Sequence, residues 1–294
     1  MQVHLKLQRD ASASQPIEPS RASDFATLNR ATSTMRTLLK VQRIAKTLGE
    51  GDKRNQIIGD LSFDAREGEF LSIVGPSGCG KTTLLMCLAG LYAVDSGSVM
   101  FDDKPVGAPP PGVSVVFQDY SRSLLPWKSN LDNVVFGMKR AQDLNRAQKL
   151  EYAQELLASV GLTGFERHYP WQVSGGMQQR VAIARGLAAR SRLLLLDEPL
   201  AAVDAQTRAE MQDLLLDLAK RYQQTCVLVT HDVDEAIYMA DRVVVLSRRP
   251  TVVAAEFAVT LAKPRTQLET REDRGFLDLR HKILAMIHQL RTQA

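Results

Sequence analysis

The stretch Gly75-Pro76-Ser77-Gly78-Cys79-Gly80-Lys81-Thr82 decides the fold of this 294-residue chain. It matches the pattern G-x-x-x-x-G-K-[ST] of a phosphate-binding loop. The run 69–74 before it predicts a buried strand, and the apolar run 82–89 after it predicts a helix. Glycines let the backbone N–H groups curve around phosphate oxygens, and the helix start adds a positive dipole end. Strand, loop and helix together predict a site for a nucleoside triphosphate with Mg²⁺, and this loop alone leaves kinases, GTPases, motor proteins and transporters open.

Separate roles are predicted along this loop. The Lys81 ammonium reaches the β- and γ-phosphates, and the Thr82 hydroxyl is a ligand for Mg²⁺. Two interpretations are open for Cys79, because nearby positive charge favours a thiolate while packing under the loop makes the thiol inert. The predicted nucleotide-binding residues are Gly75, Pro76, Ser77, Gly78, Cys79, Gly80, Lys81, Thr82 and Thr83.

A second helix start with phosphate-binding character follows later in the chain. Ser174, Gly175 and Gly176 precede a helical run, so a hydroxyl and exposed backbone N–H groups meet at a positive dipole end. The apolar run 193–196 then predicts a strand that ends in Asp197 and Glu198. Asp197 is expected beside the phosphate-binding loop, where its carboxylate holds Mg²⁺ through the metal's water shell.

These motifs resemble the signature and Walker B motifs of ABC-type ATPases. Further matches are the strand and glutamine of the Q-loop at 115–118, the D-loop at 201–204 and the switch histidine at 227–232. The motifs occur in the family's order, and the resemblance covers roughly residues 38–250. It implies an α/β fold: a P-loop NTPase core with a parallel sheet, an N-terminal antiparallel β-layer and a helical subdomain inserted at about 119–180.

The resemblance also implies roles for individual residues. Glu198 is the expected general base, His231 is expected to hydrogen-bond the γ-phosphate, and Gln118 is expected to touch both Mg²⁺ and the attacking water. The implied magnesium ligands are Thr82, Gln118 and Asp197. The implied contacts to the ATP of a second copy are Ser174, Gly175, Gly176 and Met177, with Asp204 in the D-loop.

The resemblance also bears on how the adenine base is held. The family has an aromatic residue that stacks on adenine, whereas this chain has Leu48 at the matching position, which implies a weaker, apolar contact.

Because the signature lies too far from its own phosphate-binding loop in the family, a head-to-tail dimer with ATP between the two copies is implied. The segment 124–127, Leu-Leu-Pro-Trp, resembles importer ATPases of the nitrate, sulfonate and taurine group.

That narrower resemblance implies an ATPase subunit at the cytoplasmic face of the inner membrane. Its partners would be membrane permease subunits and, indirectly, a periplasmic solute-binding protein. Two alternatives stay open: Leu125 and Trp127 can be core residues, and the chain can be a soluble ABC-type ATPase of DNA repair or translation. A P-loop kinase is disfavoured, because it would not explain Ser174 or His231.

Composition and charge restrict the class of protein. The net charge is +4, but the excess of Lys and Arg lies at the two ends, while residues 41–247 carry 22 basic against 25 acidic side chains. This distribution argues against a nucleic-acid partner, which needs a basic patch on the folded core. No apolar stretch reaches the roughly 18 residues of a membrane span, so a soluble chain is expected. Three cysteines indicate a reducing compartment.

The organisation along the chain follows from these patterns. Residues 1–35 predict a disordered extension, 36–250 the ATP-binding domain, and 251–294 a tail with one helix that packs on the core. Within the domain, 38–64 predicts a curved β-layer and 146–160 an amphipathic helix. Later in the same domain, helices at 206–222 and 233–240 alternate with strands at 225–230 and 242–246, as a parallel sheet requires. The tail predicts a strand over 251–259 and a helix over 274–290.

Overall fold

The computed structural model describes residues 36–119, 123–201 and 203–292, so the predicted extension over 1–35 lies outside the described residues. The described residues from Thr37 onward form one compact unit. Its strands are β1 (Thr37–Leu48), β2 (Asn55–Arg66), β3 (Phe70–Val74), β4 (Ser96–Phe101), β5 (Lys104–Pro105), β6 (Val113–Val116), β7 (Leu193–Asp197), β8 (Thr225–Val229), β9 (Arg242–Leu246) and β10 (Val253–Ala258). Its α-helices are α1 (Lys81–Leu88), α2 (Asn130–Gly137), α3 (Arg146–Ser159), α4 (Gly175–Ala188), α5 (Ala205–Arg221), α6 (Val233–Met239), α7 (Glu269–Glu272) and α8 (Arg274–Thr292).

A central sheet with the strand order β10-β9-β3-β8-β7-β6 forms the middle of the molecule. Strands β9, β3, β8, β7 and β6 pair in parallel, and β10 adds an antiparallel edge. Every residue of β3, β7 and β8 is buried, which agrees with their nearly continuous apolar sequences. Such runs are typical of parallel strands covered on both faces. The predicted α/β fold is confirmed.

One face of the central sheet is covered by the antiparallel layer and α1. The layer has the order β2-β1-β4-β5, and it packs with α1 against alternate residues of the central strands such as Ile73 and Val229. The sequence predicted this layer over 38–64 but missed β4 and β5. Strand β4 alternates only weakly in burial, so its period-2 signal is faint.

Helices cover the opposite face. Helices α2, α3 and α4, which lie between β6 and β7 in the chain, form the inserted helical layer that the sequence predicted. Their apolar residues join a cluster that includes Leu196, Leu228 and Val243 of the central sheet. Phe276 and Ile283 of α8 are buried in the same cluster. The C-terminal helix is therefore part of the folded core and not an independent appendage.

The strand order brings the predicted motifs to one edge. In the order β3-β8-β7-β6, the carboxyl ends of neighbouring parallel strands are followed by Gly75, Thr230, Glu198 and Phe117 respectively. Ligands of open α/β sheets bind at this edge, outside the carboxyl ends of the strands. In the described part of the chain, no helix is long and apolar enough to cross a membrane.

Candidate active site

The phosphate-binding loop turns from β3 into α1 through backbone that only glycine adopts readily. Gly78 and Gly80 have φ values of +74° and +117°. A Cβ on Gly80 would also lie 2.5 Å from Cγ2 of Ile57, so no side chain fits there. No side chain caps the start of α1, and the free backbone N–H groups of its first turn are the donors that an anion needs.

Lys81 lies at the first position of α1, with only 7% of its surface exposed. Its Nζ donates to the carbonyl oxygens of Gly75 and Pro76 at 3.1 and 3.3 Å. Two carbonyl oxygens of the loop therefore hold the ammonium group, which places a buried positive charge inside the phosphate-binding loop.

Thr82 and Asp197 bring two oxygen ligands together from α1 and β7. The Thr82 hydroxyl donates to Asp197 Oδ1 at 3.4 Å, and the Asp197 carboxyl is 3% exposed. Burial raises the pKa of Asp197, while the hydrogen bond from Thr82 and the charge of Lys81 act in the opposite direction. Hydroxyl and carboxylate oxygens suit Mg²⁺. The described residues contain no cluster of three or more His, Cys, Asp or Glu that could hold a metal ion. The pair therefore fits a cation shared with phosphates.

The three residues predicted to act in hydrolysis meet at Glu198. Its Oε2 accepts from Gln118 Nε2 at 3.3 Å and lies 2.9 Å from Nδ1 of His231. These residues come from the loops after β7, β6 and β8, which are neighbours in the sheet. A carboxylate, an amide and an imidazole within hydrogen-bonding distance form an arrangement suited to orienting a water molecule.

The backbone of Glu198 is itself unusual. Its φ is +43°, a left-handed conformation that costs a non-glycine residue roughly 1–2 kcal/mol. The Glu198 amide donates to the carbonyl oxygen of Val229 at 2.8 Å and so holds the turn in place. The sequence predicted the position of this carboxylate but gave no signal of its left-handed backbone conformation.

The signature residues lie apart from this group. Ser174 caps α4 and accepts from the Met177 amide at 3.3 Å. An open depression of about 620 Å³ is lined by Ser174, Gly175, Gly176, Met177 and Asp204 together with Gly161, Leu162, Phe165, Arg180, Val203 and Thr207. No residue of the phosphate-binding loop lines it. The structure thus brings signature and D-loop together and keeps them out of the Lys81 site.

Asp204 caps the next helix in the same way. Its Oδ1 accepts from the Thr207 amide at 3.0 Å, and this hydrogen bond is the largest cause that lowers the pKa of Asp204. The carboxylate therefore remains ionised at the rim of the depression. A negative charge beside an exposed helix start makes this surface polar without giving it the catalytic groups that surround Glu198.

The expectation of a thiolate at Cys79 is wrong. The side chain is 2% exposed, and burial raises the pKa of its thiol in spite of the nearby Lys81. The Cys79 carbonyl oxygen accepts from the buried hydroxyl of Thr251, which ties the loop to the segment between β9 and β10. The structure supports the other interpretation, in which Cys79 packs under the loop as a small inert side chain.

The segment 124–127 combines a buried anchor with an exposed indole. Leu124 is buried, Leu125 is half-buried, and Trp127 exposes 71% of its surface. Asn133 fixes this turn by accepting from the Leu125 amide at 2.8 Å and donating to the Leu125 carbonyl at 3.1 Å. The alternative that Trp127 belongs to the core is therefore wrong.

The predicted adenine contact, Leu48, lies at the end of β1 and is half-buried against the core.

Sequence reasoning missed a small cavity behind the Glu198–His231 pair. It has a volume of about 30 Å³ and is lined by Glu198, Leu200, Ala201, Arg208, Thr230, His231, Asp232 and Glu235. Arg208 donates to the carbonyl oxygens of Leu200 and Val203 at 3.4 and 3.0 Å, which supports the turn after Glu198. Glu235 follows His231 by four residues, but nothing in the sequence distinguishes it from an exposed helix-start acid.

The phosphate-binding loop, the paired carboxylates and the second Ser-Gly-Gly helix start define an ATPase of the ATP-binding cassette class. The family model described as ABC transporter matches residues 58–201. The chain belongs to this family of ABC transporter ATP-binding proteins.

Two relatives extend the match over most of the chain. The nitrate transport protein NasD of Klebsiella oxytoca is 35% identical over 263 residues, which cover 88% of this chain and all of the relative. The taurine import ATP-binding protein TauB of Escherichia coli O157:H7 is 41% identical over 239 residues, or 80% of this chain and 92% of the relative. A soluble ATPase of DNA repair or translation receives no support from these relatives.

A solved structure resembles the fold. It shows the ATP-binding cassette MJ0796 as a dimer in a post-hydrolysis state with ADP and Pi. The TM-score is 0.68 at 30% identity, and the alignment covers 76% of this chain and 99% of the cassette.

Proposed function

We propose that this chain is the ATP-hydrolysing subunit of an importer for a small anionic solute such as nitrate, taurine or another sulfonate. It binds permease subunits at the cytoplasmic face of the inner membrane and works with a periplasmic solute-binding protein that it does not touch. Support comes from the importer relatives and from the exposed Trp127.

Trp127 is the observation that carries the importer function. An indole with 71% exposure, fixed on a turn whose neighbour Leu124 is buried, is costly for a free surface and suits a docking contact. The turn follows the Q-loop closely in sequence, so a helix of the permease that lies on Trp127 would be placed to move Gln118. Docking and hydrolysis are then mechanically connected.

Hydrolysis is assigned to the residues around Glu198. Lys81 and the N–H groups of the loop hold the β- and γ-phosphates, and Thr82, Asp197 and Gln118 would hold Mg²⁺. When bound, Mg²⁺ offsets the charge that develops on the phosphate oxygens. Glu198 takes a proton from the attacking water as the water oxygen bonds to the γ-phosphorus and the bond to the β-phosphate oxygen breaks. His231 orients this water and hydrogen-bonds the γ-phosphate.

The signature serves a second copy of the chain. Ser174, Gly175, Gly176 and Met177 cap the γ-phosphate of the partner's ATP, with Asp204 beside them, in a head-to-tail dimer. Each site is completed only when two chains close, and loss of the γ-phosphate removes the contacts that hold them. Hydrolysis therefore opens the dimer as a shift between two populations.

Docking is tested by co-purification with the permease encoded beside its gene. The full chain is co-expressed with that permease, membranes are solubilised in detergent, and the permease is captured by an affinity tag. We expect the wild type to be retained, and Trp127→Ala to lower retention at least about tenfold, as removal of a buried aromatic anchor does. Leu268→Ala removes another exposed apolar side chain and serves as the control. Recovery of the chain with ribosomes or DNA instead would overturn the importer function.

The solute is tested by uptake. Cells that express the permease, the binding protein and this chain are supplied in turn with labelled nitrate, taurine and an alkanesulfonate. We expect uptake of one of them to depend on the wild-type chain and to be lost with Glu198→Gln. Uptake of none of these anions, with an intact complex, would overturn the anionic solute class but not the ATPase.

A further inference from the structure

The segment after β10 returns to the helices that border the active site, and Arg271 is its central contact. All three guanidinium nitrogens are engaged: Nη2 donates to Gln212 Oε1 at 2.9 Å, Nε donates to Gln267 Oε1 at 3.0 Å, and Nη1 lies 3.9 Å from Asp234 Oδ2. The guanidinium also stacks 5.1 Å from the ring centre of Tyr238. One arginine of α7 therefore holds both α5 and α6.

The first line of contacts leads from Arg271 to a buried carboxyl. Gln212 is 1% exposed and lies beside the Glu235 carboxyl, which is 3% exposed; hydrogen bonding from Thr230 and Gln212 acts to lower the pKa of Glu235. Glu235 Oε1 has no hydrogen-bond partner among the described residues. Glu235 lines the cavity of about 30 Å³ whose other walls include Glu198 and His231. A polar cavity needs about 10–15 Å³ to hold a water molecule, so this cavity accommodates one or two.

The second line of contacts holds the first turn of α6. Asp234 accepts from Arg280 Nε at 2.9 Å and also faces Arg271. Helix α6 begins at Val233, two residues after His231, and Asp232 caps it by accepting from the amides of Asp234 and Glu235 at 2.9 and 3.1 Å. Movement of this turn would move His231, because only Asp232 separates His231 from the helix.

We propose that Arg271 and Glu235 are positioning residues for His231. The C-terminal segment holds the first turn of α6 through Arg271, and the Glu235 carboxyl holds the Glu198–His231 pair through a water molecule in the cavity. The role of the C-terminal segment is thus to keep the imidazole at hydrogen-bonding distance from Glu198. The inference rests on the proposed role of His231 in hydrolysis.

Burial favours the neutral form of the Glu235 carboxyl. Burial is the largest cause that raises its pKa, Asp232 acts in the same direction, and Thr230, Gln212 and Arg208 act against it. A neutral carboxyl both donates and accepts hydrogen bonds, as an amide does. Glutamine therefore replaces it closely, whereas leucine, which is of similar size, offers no polar atom to the cavity water.

The experiment measures ATP turnover and ATP affinity of the purified full chain. We expect Arg271→Ala and Glu235→Leu to lower kcat about tenfold with the Kd for ATP changed less than twofold, and Glu235→Gln to retain most of kcat. The matched control is Arg265→Ala, because Arg265 also anchors the C-terminal segment to α6 but at the other end, through the carbonyl oxygen of Tyr238 at 2.7 Å. Lys282→Ala on the exposed side of α8 is the second control. Rates are calculated per bound nucleotide, so a loss of folded protein does not count as a loss of kcat.

A direct readout of position is the ¹H–¹⁵N spectrum of the histidine rings, which are five in this chain. His231→Ala assigns the relevant resonance. We expect Arg271→Ala to shift it and Arg265→Ala to leave it in place. An unmoved His231 resonance in Arg271→Ala, or a kcat that falls equally in Arg271→Ala and Arg265→Ala, would overturn the inference. Full turnover by His231→Ala would instead overturn the proposed role of the histidine itself.

Discussion

The chain contains two helix starts suited to phosphate, and they differ in what surrounds them. At the start of α1, Lys81 is buried and lies near Asp197, which is buried too. At the start of α4, Ser174 is exposed and its hydroxyl accepts from its own helix at Met177. The first start has the charges of a complete binding site, whereas the second has only a dipole and a hydroxyl.

The difference supports the proposed division of ATP binding and turnover between two copies of the chain. A buried cation beside a buried carboxylate and free helix-start N–H groups supplies, within one chain, the groups that phosphates and a cation need. The α4 start has backbone N–H groups, and among the described residues that line its depression the one cation is Arg180, which donates to the Val160 carbonyl oxygen at 3.0 Å. It is suited to complete a site that another chain begins. Substitutions at the α1 start should therefore weaken ATP binding, whereas substitutions at the α4 start should lower turnover.

The largest effect is expected for Glu198→Gln. The substitution removes the base and keeps both phosphate clamps, so turnover should fall at least about 100-fold while ATP still binds. The dimer should persist, because its γ-phosphate contacts are not consumed. Size-exclusion chromatography with Mg²⁺ and ATP is the measurement. A monomeric variant, or one that hydrolyses ATP at the wild-type rate, would contradict the assignment.

Lys81→Ala should weaken the binding of ATP and not only its hydrolysis. Loss of a buried charge-assisted contact to phosphate costs about 2–3 kcal/mol, which weakens ATP binding roughly 30-fold or more. Titration of the monomer with a fluorescent ATP analogue gives the Kd. Arg66→Ala, an exposed position on β2, is the control. If the Kd of Lys81→Ala remained that of the wild type, the loop would not be the nucleotide site.

Ser174→Arg changes the exposed start of α4 and should leave the buried nucleotide site at the start of α1 intact. The larger side chain fills the depression beside Met177, so the partner's γ-phosphate is blocked and turnover falls roughly tenfold or more, while the monomer's Kd for ATP does not change. Turnover and Kd are measured on the same preparation. A parallel loss of ATP affinity in the monomer would mean that α4 serves its own chain.

Much of this architecture was predictable because its signals are local. The predicted strand 69–74 and helix 82–89 correspond to Phe70–Val74 and Lys81–Leu88, and the predicted helix 206–222 corresponds to Ala205–Arg221. Each has a continuous apolar run or a helical period, flanked by glycine or a capping residue. The weakly alternating β4 lacked such a signal.

Burial that depends on distant segments was not predictable. The raised pKa of Cys79 follows from its burial under the loop, and Thr251, whose hydroxyl donates to the Cys79 carbonyl, lies far away in sequence. The network from Arg271 to Glu235 likewise joins side chains of α7, α5 and α6. In each case the sequence shows the residue type but not the neighbours that determine its charge or its role.

The smallest effect concerns Leu48, which stands where the family resemblance implies an aromatic residue that stacks on adenine. Stacking of a base on an aromatic side chain contributes roughly 1–3 kcal/mol, and leucine recovers part of this by burial, so the deficit is about 1 kcal/mol. Leu48 is half-buried at the end of β1, and the adjacent Thr47 amide donates to Asp95 Oδ2 at 2.6 Å, which fixes the backbone there. A tyrosine at this position would therefore present its ring from a rigid strand end.

We expect Leu48→Tyr to tighten ATP binding about fivefold and to increase the preference for ATP over GTP, since 1.4 kcal/mol corresponds to a tenfold change in Kd. In the wild type the phosphates and Mg²⁺ carry most of the affinity, and they are the same in both nucleotides. Titration of wild type and variant with ATP and with GTP measures both quantities, and Leu48→Ala gives the contribution of the leucine itself. Equal Kd values in all three proteins would mean that the base does not contact residue 48. The difference between the two helix starts would then affect only how the phosphates are bound.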